Sequence, residues 1–177
     1  GMILLLAQAA LAYFRRVDLH QKLGVFGAGY GALIIVVGFL VMMDSFFTDI
    51  AAGNIQRAHT RLLIPLVDIL LFAVFFGAAI AYRKKPEIHK RLIVLASIVM
   101  FGPAVGRMAF LTTLPQMAAV TFGPIVLCMG YDLLTRRRIH RIYVIGLTAF
   151  ILSLARVPLR ESDAWINFSM WISEWFI

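Results

Sequence analysis

The chain has 177 residues, of which 62% are hydrophobic and 15% charged, with a formal net charge of +8. A water-soluble domain has roughly half its residues apolar and about a quarter charged, so a single globule exposed to water is excluded and lipid must cover much of the surface. The positive charge falls in short clusters between apolar runs, which argues against a nucleic-acid-binding face and for the basic turns of a membrane protein.

The first run, Met2 to Phe14, is apolar or neutral throughout. As a helix it is ~20 Å long against a ~30 Å hydrocarbon core. No basic segment precedes it, so it does not read as a signal peptide. It is expected to be a short or truncated first membrane helix. Leu23–Met43 is uninterrupted and carries Gly24, Gly27, Gly29 and Gly31, small residues that let helices approach closely in lipid. Leu62–Tyr82 is broken only by Asp68, Leu92–Pro115 contains Arg107, Gln116–Leu134 contains Asp132, and Ile142–Leu159 contains Arg156. Each is long enough, or nearly so, to span. Pro65, Pro103 and Pro124 are tolerable because neighbouring helices re-satisfy freed carbonyls.

The last stretch, Glu161–Ile177, sets Trp165, Trp171 and Trp175 among Ile, Phe and Met, with Asp163, Asn167 and Glu174 on one helical face. This predicts an amphipathic helix at the membrane interface, a partner-binding helix being the alternative. The predicted architecture is all-α: residues 1–160 form a bundle of about six transmembrane helices in three hairpins, and residues 161–177 form an interfacial helix.

The segments Arg15–Lys22, Arg83–Arg91 and Arg136–Arg141 hold twelve of the seventeen Lys and Arg residues. They alternate with charge-poor turns, which predicts a multi-pass membrane protein with these three segments on the cytoplasmic side. The first two echo each other: Arg16-Val-Asp-Leu-His20-Gln-Lys-Leu23 and Lys85-Pro-Glu-Ile-His89-Lys-Arg-Leu92. The third keeps Arg138-Ile-His140-Arg-Ile.

Two sets of residues are candidates for chemistry. Charge within the bilayer costs at least a few kcal/mol and is usually paired or functional. Asp68 lies ~9 Å in from the outer start of its run, Arg107 ~22 Å and Arg156 ~21 Å from the inner starts of theirs, so all three share an outer slab. An Asp68–Arg107 pair is expected, with Arg156 as an additional cation and His59 and Arg61 as the lip of an outer pocket for an anionic or quinone-like ligand or a lipid. The structural alternative is an ion-paired network that locks helices together. The second set is His20, His89 and His140, all at the inner face. They fit contacts with lipid phosphate or helix ends, or, as an alternative, haem b ligation. Asp132 is expected to pair with Arg136 or Arg138. Cys128, the single cysteine, has no partner for a disulfide or thiolate metal site, and no metal site is expected.

No Walker loop, dinucleotide glycine fingerprint, HExxH or GxSxG motif is present, so no catalytic residue is assigned. The nearly apolar midplane makes a small transporter the least favoured reading.

The motifs Arg16-Val-Asp-Leu-His20-Gln-Lys-Leu-Gly24, Arg83-Lys-Lys-Pro-Glu-Ile-His89-Lys-Arg-Leu92 and Pro103-Ala-Val-Gly-Arg107, with Tyr131-Asp132, Arg138-Ile-His140 and Ala164-Trp165, resemble a family of uncharacterised bacterial multi-pass membrane proteins. The resemblance covers nearly the whole chain, and Ile93 stands where that family usually has Met. Its members usually have a longer first helix carrying a further His and Trp. The His-basic-basic-Leu turns are also loosely similar to those of small oxidase-assembly membrane proteins and four-helix b-type cytochromes. The functional expectation is therefore a non-enzymatic membrane protein that binds a small ligand or lipid. The alternative is a haem- or quinone-linked redox or oxidase-assembly protein. The expected partners are the lipid bilayer and a membrane protein or a second copy of the chain, without nucleic acid.

Overall fold

The computed structural model describes residues 2–105, 108 and 113–174, and every regular element within them is helical. α1 (Met2–Tyr13) and α2 (Val17–Ala51) form the first hairpin, α3 (Ile55–Ala81) and α4 (Pro86–Val99) the second. α5 (Phe101–Val105) continues α4, followed by α6 (Leu114–Arg136), α7 (Arg141–Ser153), α8 (Arg156–Leu159) and α9 (Asp163–Ser173). Four stretches are long and apolar enough to cross a membrane: 17–51, 55–81, 86–105 and 141–159. α6 has 23 residues, ~35 Å of helix. The chain is a membrane protein with an all-helical fold. We call the end bearing the turns 14–16, 82–85 and 137–140 the basic end.

Both spans with an interruption break at a proline. A proline ring clashes with the carbonyl four residues earlier and offers no N–H to it. Pro103 therefore ends α4 at Val99, and Pro158 breaks the last span at Leu154–Ala155, between α7 and α8. α6 opens with a reciprocal cap: Thr113 Oγ1 accepts from the Gln116 amide, and Gln116 Oε1 accepts from the Thr113 amide.

Several elements overrun the ranges expected from hydropathy. α4 begins at Pro86 rather than Leu92, α2 starts at Val17 inside the first basic segment and continues through Asp44–Ala51, and α3 begins at Ile55 rather than Leu62. The overrun is held by charge across the turn, where Arg57 and Arg61 on α3 both reach Asp49 on α2, at 3.8 and 3.4 Å.

α3 is the central helix. α2 and α4 pack along it, and α8 and α9 dock at its other end. The core joins Phe72, Phe75 and Ala79 of α3 to Leu92, Leu95 and Val99 of α4, Ile125 of α6, and Tyr143 and Phe150 of α7. Two close approaches require glycine. A Cβ at Gly31 would lie 2.2 Å from the Phe76 ring, and one at Gly146 would lie 2.5 Å from Leu95.

Candidate functional site

The echoed turn motifs act as hairpin clasps. In each, the basic residue (Arg16, Lys85) is the N-cap, the acid (Asp18, Glu87) sits in the first turn where the helix dipole favours it, and the His is the fourth helical residue. That position turns the imidazole back onto the preceding helix. His20 Nδ1 lies 3.2 Å from the Gln8 carbonyl, and His89 Nδ1 lies 2.7 Å from the Ala79 carbonyl. Gln8 returns a bond from its Nε2 to the His20 carbonyl at 3.2 Å. His140 is used differently. It is itself the N-cap of α7, and its Nδ1 accepts from the Ile142 amide at 3.2 Å. Burial, with the Arg91 charge nearby, lowers the His140 pKa below its ordinary value, in keeping with a ring nitrogen that must keep its lone pair.

His20 and His89 sit on α2 and α4, each of which packs on α3 and not extensively on the other. Among the described residues, no group of three or more His, Cys, Asp or Glu is arranged to hold a metal ion.

Near the basic end an ion-pair network joins α4 to α6. Arg91 on α4 is 1% exposed and Asp132 on α6 is 2% exposed. Arg91 Nη2 donates to Asp132 Oδ1 and Oδ2 at 2.7 and 2.9 Å, and Nε donates to Oδ2 at 3.1 Å. Nη1 donates to the Glu87 carbonyl and to Oε2, both at 2.7 Å. Asp132 also accepts from the His140 amide, and the Tyr143 ring lies 5.5 Å from the guanidinium. The sequence places Arg91 among the turn charges and points to Arg136 or Arg138 as the partner of Asp132. Arg136 does form the expected i,i+4 pair with Asp132, at 3.9 Å, but its closer contact is Glu87 at 2.7 Å, and the main partner of Asp132 is Arg91. The signal was available, since an acid inside an apolar run demands a cation that can reach it, and Arg91 directly precedes the apolar run of α4.

At the opposite end, Asp68 on α3 pairs with Arg156, the first residue of α8. Arg156 Nη1 donates to Asp68 Oδ1, and it also reaches the Ile64 carbonyl at 3.4 Å. Arg156 is thus the described partner of Asp68, not an additional unmatched cation. Arg107 lies outside the described residues, as does Trp175. α5 approaches the same carboxylate at Gly102, where a Cβ would lie 4.0 Å from Asp68 Oδ2.

The two pairs differ in how fully the guanidinium is used. Arg91 engages all three nitrogens. Arg156 engages one, and among the described residues its Nε and Nη2 have no partner, while its side chain is 17% exposed.

His59 is not on a loop and does not form a lip. It is inside α3, 2% exposed, edge-on to the Phe46 ring of α2 at 5.2 Å, and among the described residues its Nδ1 has no hydrogen-bond partner. α9 covers it, with Trp165 Nε1 donating to the His59 carbonyl at 2.9 Å. α9 is capped by Ser162 and buries Ser169; Asp163 and Asn167 are exposed, and so are the apolar Phe168 and Trp171. Nine residues separate His59 from Asp68, ~13 Å along a helix, so the sequence-derived pocket resolves into an Asp68–Arg156 pair and a separate buried histidine.

No protein-family model, curated protein or solved structure matches this chain.

Proposed function

We propose that this chain is an integral protein of a bacterial cytoplasmic membrane, with its basic turns in the cytoplasm, and that it binds rather than transforms a small molecule at Arg156 in the outer leaflet. The clustering of Lys and Arg in alternate turns supports the orientation, and the turn motifs support a place in the multi-pass family they resemble. The observation that carries the binding site is the half-used guanidinium. Among the described residues Arg156 is held by a single nitrogen, and an arginine so held keeps a planar fork of donors for a carboxylate, a phosphate or a quinone carbonyl. Asp68 lowers the cost of keeping that charge in the bilayer and fixes its direction.

The test is native mass spectrometry of small molecules and lipids that co-purify with the chain in mild detergent. Arg156→Lys keeps the charge and the Asp68 pair but removes the fork. A species with an acceptor head group retained by the parent protein and lost from Arg156→Lys is the expected result. An unchanged set of bound species in that variant sinks the proposal.

One observation favours haem b as a second reading. A backbone carbonyl at 2.7 Å holds the proton on His89 Nδ1, which leaves Nε2 as a free Lewis base, the arrangement metal-ligating histidines use. An absorption spectrum, oxidised and dithionite-reduced, of protein expressed with haem precursor decides it. A Soret band abolished by His89→Ala supports haem, and a flat spectrum of folded protein removes it.

A further inference from the structure

A second polar site lies at the basic end, where α6 gives way to α7. Arg136, Arg138, Ile139, His140 and Arg141 line a cavity of about 430 Å³, within the ~300–1,000 Å³ range of small-molecule sites. The nearby acids are already committed. Asp132 takes the full fork of Arg91, and Glu87 is shared by Lys90, Arg91 and Arg136. Among the described residues, neither Arg138 nor Arg141 has an acidic partner. Two of the residues that line the cavity, Arg138 and Arg141, are thus arginines without an acidic partner among the described residues, with the exposed Ile139 between them in sequence. Basic pockets between membrane helices at this level suit phosphorylated head groups, and guanidinium recognises phosphate oxygens in pairs.

We infer that this cavity binds a phosphate group, presented by an anionic lipid at the membrane surface or by a soluble phosphate-bearing molecule. The site is separate from Arg156 and does not depend on the reading of that residue.

The experiment uses the full chain in nanodiscs of phosphatidylcholine with or without phosphatidylglycerol. Three proteins are compared: the parent, Arg138→Gln/Arg141→Gln, and a control, Arg83→Gln/Lys84→Gln, which removes equal charge from another basic turn. In the first arm, native mass spectrometry counts retained phosphatidylglycerol. A lipid source predicts that retention falls about tenfold or more in the cavity variant and little in the control. In the second arm, inorganic phosphate is added to phosphatidylcholine-only discs and thermal unfolding is followed. A soluble source predicts that phosphate raises the Tm of the parent and the control but not of the cavity variant. Equal losses in the two double variants, or binding in neither arm, overturn the inference. All four substituted residues are exposed, so the variants are expected to fold, and the Tm without phosphate checks this.

Discussion

Arg91 and Asp132 meet in a two-toothed ion pair, with Nη2 at 2.7 and 2.9 Å from the carboxylate oxygens and neither residue more than 2% exposed. The pair ties α4 to α6, although sequence alone assigns Arg91 to a basic turn and Asp132 to an apolar run. Removing Asp132 leaves the buried Arg91 with only its contact to Glu87, and breaking a buried pair costs about 3–5 kcal/mol. Asp132→Ala is therefore expected to lower the Tm sharply in detergent. Replacing both with apolar residues, Arg91→Met/Asp132→Leu, is expected to recover most of the loss. A double variant no more stable than Asp132→Ala would show that the charges specify the packing rather than merely neutralise each other.

A packing prediction concerns Gly146. Its missing Cβ leaves room for Leu95, which is fully buried. Gly146→Ala forces Leu95 or the α4–α7 spacing to shift, and overpacking of this kind costs about 1–3 kcal/mol. Adding Leu95→Ala should restore part of the stability despite deleting a core side chain, a non-additivity that a thermal-denaturation cycle measures.

The fold was largely legible in the sequence because lipid imposes a simple rule: an apolar run of sufficient length must be a helix. The helix limits were less so. Hydropathy ended the second helix at Met43, but nothing in Asp44–Ala51 breaks a helix, and Asp49 has two arginines across the turn to hold it there. For the same reason His59 read as part of a loop when it is buried inside α3. Pairing partners depend on the relative rotation of helices, which a hydropathy pattern does not encode. That is why Asp68 and Arg156 were placed at one depth but not joined, and why Arg91 was counted with its neighbours in the turn. The histidine echo was legible as a repeat, but its use as a hairpin clasp needed the preceding helix in view.

A pH dependence follows from His140. Its Nδ1 must be unprotonated to accept from the Ile142 amide, and its folded pKa is lowered by burial and by Arg91. The unfolded chain binds a proton near the ordinary value of about 6.5. The stabilisation is therefore complete above that pH and declines as pH falls toward the lowered folded value. His140→Asn supplies a cap that does not titrate there, so its Tm should be flatter between pH 7 and 5 than that of the parent.

The attachment of α9 can be tested locally. Trp165→Phe retains a large ring but removes the Nε1–H bond to the His59 carbonyl, worth about 1 kcal/mol. Hydrogen exchange should speed up across α9 and the first turns of α3 and stay unchanged in the Leu95–Ile125 core. Uniform acceleration throughout the chain would mean that α9 is not a separable unit.

The length of α2 has a consequence of its own. Its 35 residues make ~52 Å of helix, whereas Leu23–Met43 alone fills a ~30 Å hydrocarbon layer. The last two turns, clamped to α3 through Asp49, must stand as a stiff post about 10 Å proud of the lipid. The turn at Gly53–Asn54 is its tip. Because the chain has one native thiol, Cys128, a cysteine placed at Asn54 in a Cys128→Ala background would give a membrane-impermeant reagent a single rigid target. Whether intact cells or only opened cells become labelled then fixes the direction in which every helix of the bundle runs.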